Sequence, residues 1–148
     1  MSNRFEDFIN TINKINRSIQ VIKNNEMREY DLKGTHVMCL YHLSKCEEGL
    51  TSAELAKLCV EDKAAISRSL SLMESKGLVH FIDIEGKKRY RTIITLTDEG
   101  KYICNKIIEK IGEVIEISSE KYTEEERKIF YKVLSSIAEN LSQFSNDK

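Results

Sequence analysis

Apolar residues near the start of the chain recur at Phe5, Phe8, Ile12, Ile15, Ile19 and Ile22, with spacings that alternate between three and four. So narrow a seam predicts a helix that faces another helix. A second seam runs through Phe130, Val133, Ile137, Leu141 and Phe144, and Thr123 with Glu126 places a capping box before it. Between the two, residues 97–119 predict a long helix whose apolar positions, Ile103, Ile107, Ile108, Ile111, Val114 and Ile115, form a stripe wide enough for two packing partners. The middle of the chain has shorter periods. Thr51 and Glu54 form another capping box, followed at helical spacing by Leu55 and Leu58, and a turn at Val60 and Glu61 leads to Asp62, a good N-cap. The next helix puts Ile66, Leu70 and Met73 on one buried face and ends at Gly77, where a left-handed residue lets Leu78 fold back on Met73. Then the period drops to that of strands: LVHFIDI and YRTIITL are rich in β-branched and aromatic residues, and the linking residues 85–89 contain a glycine, which predicts a hairpin.

The polar side of the Asp62 helix suggests chemistry. It carries Lys63, Ala64, Ala65, Ser67, Arg68 and Ser71, small or hydrogen-bonding side chains around one long cation. A helix that enters a DNA groove needs such a face, because bulky side chains would hold its backbone away from the base edges. The hairpin tip adds Lys87, Lys88, Arg89 and Arg91, cations placed to meet phosphates or a minor groove, and Thr51 and Ser52 are candidates for phosphate contact at a helix N-terminus.

At these residues the chain resembles the MarR family of transcription regulators. The matching phrases are LTSAELAKL, DKAAISRSL, MESKGLV and ITLTDEGKYI, in that family's order and spacing. Together with the flanking helices, the resemblance covers nearly the whole chain. It implies a mainly α fold with a small β-hairpin wing, a winged helix-turn-helix with N- and C-terminal dimerisation helices, an obligate homodimer, and binding of double-stranded DNA at a pseudo-palindrome. By position, Ser67 and Arg68 fall where the family's recognition helix meets DNA, and Lys87 to Arg91 fall on its wing. The resemblance further implies a small aromatic effector; Phe8, Ile12, Tyr30, Met38 and Tyr41 are candidates to line its pocket. The wing departs from the family in one respect. Many members have an Asp-x-Arg element that ties the loop to the body, and the corresponding GKKRYR has no acid. The expected organisation is a single domain over 1–148, with dimerisation helices at 5–30 and 123–145, a DNA-binding lobe at 33–96 and a linking helix at 97–119.

Composition narrows the remaining classes. A chain of 148 residues with 41% hydrophobic and 32% charged residues fits one globular domain. Its start has no signal-peptide pattern and no apolar run approaches the ~20 residues that span a bilayer, so no membrane and a cytoplasmic location are expected. The net charge of −1 is unevenly distributed. Between Asp62 and Arg91, seven Lys and Arg face four acids, a local +3, which leaves −4 on the rest. A basic reading head on an acidic body favours orientation on DNA. The six glycines are scattered singly, so no phosphate-cradling loop is present, no catalytic constellation emerges, and neither enzyme nor cofactor is expected. His36, Cys39, His42 and Cys46 have spacings that would allow metal or redox sensing, but Leu40 and Leu43 share their helix and favour core packing, so no metal is assigned. Cys39, Cys46, Cys59 and Cys104 are expected as thiols. The alternative readings are a winged-helix protein-interaction module and a metal- or redox-sensing regulator of the same fold.

Overall fold

The computed structural model describes residues 2–85 and 90–146 and divides into two compact units, Met1–Ile111 and Gly112–Lys148. The first contains α1 (Ser2–Met27), a single 3₁₀ turn (Arg28–Tyr30), α2 (Thr35–Ser44), α3 (Ser52–Cys59), α4 (Lys63–Ser75), the hairpin β1 (Val79–Glu85) and β2 (Tyr90–Leu96), and the start of α5 (Asp98–Ser118). The second holds the end of α5 and α6 (Glu124–Asn146).

Local chemistry sets most of these boundaries. Thr51 caps α3 by accepting the Glu54 backbone N–H at 3.1 Å, and its hydroxyl donates to the Glu54 carboxylate at 3.0 Å. Asp62 caps α4 through the Ala65 N–H at 2.7 Å. Gly77 ends α4 at φ +73, with the Leu78 N–H bonded to the Met73 carbonyl and the Gly77 N–H to that of Glu74. The same closing pattern recurs after the 3₁₀ turn and after α3, but there the left-handed residues are Asp31 and Val60, both at φ 56.

The core of the first unit gathers Met27, Leu40, Leu55, Ile66, Leu70, Met73, Val79 and Ile94. Ile66, Leu70 and Met73 are buried as expected, whereas Leu58 is 48% exposed. The buried edge of α3 is Leu55, Ala56 and, in part, Cys59, and in an eight-residue helix Leu58 falls off that line. The strands pair antiparallel from Val79 opposite Leu96 to Glu85 opposite Tyr90. Leu50 forms an isolated bridge with Ile94, which ties the segment before α3 to the hairpin.

Thr97 links the hairpin to α5. Its hydroxyl donates to the Gly77 carbonyl at 2.6 Å and accepts the Gly100 N–H at 3.0 Å, while its own N–H reaches the Leu78 carbonyl. Gly100 has no Cβ because a methyl there would overlap the Leu78 carbonyl oxygen. The segments KGLV and LTDEG are thereby held directly against each other.

The helices expected to dimerise keep their seams uncovered. On α1, Phe5, Phe8, Ile12 and Ile15 are exposed and Ile19 and Ile22 half-buried. Within the second unit, α6 has no buried residue and exposes Phe130, Val133, Leu141 and Phe144. Thr123 caps this helix through the Glu126 N–H at 3.1 Å, and Arg127 pairs with Glu116 at 2.6 Å.

Candidate nucleic-acid interface

The fold turns one face of α4 outward. Lys63, Ala64, Ser67, Arg68 and Ser71 are exposed, Ala65 is half-buried, and Ile66, Leu70 and Met73 pin the opposite side to the core. The exposed face thus combines short side chains with one central guanidinium, in the pattern a groove admits. The Asp62 cap fixes where this helix begins, so the Lys63–Ala64 end has a defined position. Thr51 is half-buried and Ser52 exposed at the N-terminus of α3, which brings both expected phosphate contacts to one helix end.

Of the expected wing contacts, Lys87, Lys88 and Arg89 lie outside the described residues. Arg91 belongs to β2, where its backbone pairs opposite Ile84. Nearer the base of the hairpin, the Thr92 hydroxyl donates to the Asp83 carboxylate at 2.8 Å across a directly opposed pair. An acid on β1 therefore braces the two strands, opposite the strand that carries Tyr90 and Arg91.

Sequence patterns also gave no sign of a cleft of ≈ 410 Å³ beside α4, where Lys33, Thr35 and His36 stand across from Arg68, Ser69 and Leu72. These residues are some 30 positions apart, so no local spacing signals it. Phe8, Ile12, Tyr30, Met38 and Tyr41, the expected effector contacts, line neither this cleft nor the ≈ 350 Å³ one around Asn24 and Arg28. His36 is only 4% exposed. Burial lowers its pKa below the ordinary imidazole value, opposed by the backbone carbonyl of Lys33, which lies 3.1 Å from Nδ1. Among the described residues no group of three or more His, Cys, Asp or Glu could hold a metal ion. Cys39 instead meets Cys59, with 3.9 Å between sulfurs.

A three-helix lobe with a capped, small-faced fourth helical element and an antiparallel hairpin behind it defines a winged helix-turn-helix protein. A sequence profile of the MarR family matches residues 30–89, and over that stretch the chain is similar to the family. Solved structures agree in fold. A MarR protein from Peptoclostridium difficile superposes with a TM-score of 0.82 at 22% identity, over 93% of this chain and 88% of the other. A structure described as MarR gives 0.77 at 27% identity, over 94% and 93%. A putative MarR family regulator from Listeria monocytogenes, complexed with a 26mer DNA, gives 0.76 at 23% identity, over 91% and 89%. Among curated proteins no sequence matches the chain. Among the described residues no helix is long and apolar enough to cross a membrane.

Proposed function

We propose that this protein is a transcription regulator that binds double-stranded DNA as a homodimer at an inverted repeat, in the cytoplasm, and that it represses by occupying a promoter. The observation that carries the reading is the exposed face of α4, with Arg68 central among Ala64, Ser67 and Ser71. Ser67, Arg68, Lys63, Ala64, Ala65 and Ser71 enter or edge the major groove, Thr51 and Ser52 meet phosphates, and Lys87, Lys88, Arg89 and Arg91 hold the backbone or minor groove. A second copy would cover the apolar seams that α1 and α6 each leave exposed. It would also set two recognition helices about 34 Å apart, one helical turn of DNA. This is a binding role, not an enzymatic one. Release by a small aromatic effector requires that the effector prefer one spacing of the two heads, since equal affinity for both shifts nothing.

The test is a binding titration on duplexes selected from random sequence, with sedimentation of the free protein. A dimer is expected. Arg68→Ala should cost about 1–3 kcal/mol on selected DNA and relax specificity, whereas Lys88→Ala should weaken all sequences alike and flatten the salt slope by roughly one. Equal effects on selected and random DNA for both variants would refute the assignment. One observation favours a second reading: Phe81, Ile82 and Ile84 are exposed on β1 and would suit a protein partner. Salt separates the two, because binding through ~6–10 phosphates falls 10³- to 10⁵-fold between 50 and 200 mM salt and an apolar interface barely responds.

A further inference from the structure

We propose that Cys39 and Cys59 form a redox modification site, a dithiol that hydroperoxides convert to a disulfide between α2 and α3. The two residues are 20 positions apart and come from different helices, yet their sulfurs stand 3.9 Å apart. Their environments differ in the way a two-step oxidation needs. Cys59 closes α3, is half-buried, and adjoins the exposed Val60 turn, so a small peroxide can reach it. Cys39 is 1% exposed within the core and so protected from direct attack.

Hydrogen bonding from the Cys39 thiol lowers the pKa of Cys59, with Lys23 assisting and burial and Glu61 opposing. The same contact, with burial, raises that of Cys39. Cys59 therefore ionises first and is the better nucleophile. The other two cysteines are placed differently: Cys46 donates its thiol to the Gly49 carbonyl at 3.3 Å, and Cys104 is buried with its thiol pushed up by desolvation.

The chemistry balances with a hydroperoxide as oxidant. The Cys59 thiolate attacks the peroxide oxygen, the O–O bond breaks, and the leaving alkoxide or hydroxide takes a proton to depart as alcohol or water. The resulting sulfenic acid is then attacked by the Cys39 sulfur. An S–S bond forms, the S–O bond breaks, and the hydroxyl leaves as water with the Cys39 proton. Two electrons pass from the thiol pair to the peroxide, and a thiol reductant returns them.

Closing the bond brings the sulfurs from 3.9 Å to about 2.05 Å. Only Val60, Glu61 and Asp62 separate Cys59 from α4, so the strain arrives at the N-terminus of the recognition helix. This consequence rests on the DNA-binding reading above, while the disulfide itself does not.

The experiment treats the reduced full-length protein with hydrogen peroxide, alkylates free thiols, and digests with trypsin without reductant. The expected product is segment 34–45 joined to segment 58–63, each of which contains one cysteine, and its loss on reduction. Oxidised protein should then bind the duplexes selected by the reduced protein about tenfold more weakly, the loss of a groove contact. Cys59→Ser, at a half-buried position, should fold, bind as the reduced protein does, and ignore peroxide; Cys39→Ala should yield no joined segments and stop at a sulfenic acid on Cys59. Absence of the joined segments, or joining through Cys46 or Cys104, overturns the site. Joined segments with unchanged affinity overturn the switch. Reduced protein that selects no duplex refutes the DNA reading, and the digest alone then decides whether the disulfide forms.

Discussion

Val60 offers a measurement of backbone strain in isolation. It occupies the left-handed region at φ 56, ψ 47, where β-branched residues are rarely found, and its side chain is 89% exposed. Replacement by glycine removes about 1–2 kcal/mol of steric cost. Against this, glycine adds about 0.4–1 kcal/mol of unfolded-chain freedom. Little burial is lost, because the valine covers almost nothing. The balance is a stabilisation of about 0.5–1 kcal/mol, or about 1–4 °C in melting temperature for a chain of this size. The assay is urea denaturation of Val60→Gly, Val60→Asn and Val60→Ala at one protein concentration, since dimerisation would make stability depend on it. Gly should rank first and Asn second, with Ala gaining little because its Cβ meets the same carbonyl. If glycine destabilises, or if alanine gains as much as glycine, left-handed strain is not the cause.

Two further outcomes follow from contacts elsewhere. Gly100→Ala should cost about 1–3 kcal/mol, because the added methyl meets the Leu78 carbonyl, a backbone group already bonded to Thr97, and a melting point within error of the parent would contradict this. His36 is buried with a depressed pKa, so below about pH 6.5 the unfolded chain binds the extra proton first, and its contribution to stability is complete above that value and lost as pH falls. Urea midpoints at about pH 7.5 and about pH 5.5 should separate more for the parent than for His36→Gln, and equal separations would remove His36 from the account.

The parts of this fold visible in the sequence are those with local causes. Thr51, Asp62 and Thr123 satisfy backbone donors three residues ahead, Gly77 accepts a conformation other residues resist, and Ile66, Leu70 and Met73 follow the helical period. Leu58 follows that period too and is exposed, because an eight-residue helix covered on one edge leaves a residue just off that edge in solvent. The outward face of α4 is legible because its small side chains and lone arginine make sense only away from the core. The Leu50–Ile94 bridge, the Thr97 contacts, the cleft beside Arg68 and the approach of Cys39 to Cys59 join distant segments. No spacing rule reaches that far, and Asp31 and Val60 end their turns without the glycine that would have announced them.

The seating of Gly100 against Leu78 has a mechanical corollary. Main chain lies on main chain there, with no flexible side chain between to yield, and the Thr97 hydroxyl binds the Gly77 carbonyl and the Gly100 N–H at once. A joint of that kind has no slack. Any rotation imposed on the first turns of α5 must reappear undiminished at the root of β1 and the last turn of α4, instead of dissipating in a compliant layer.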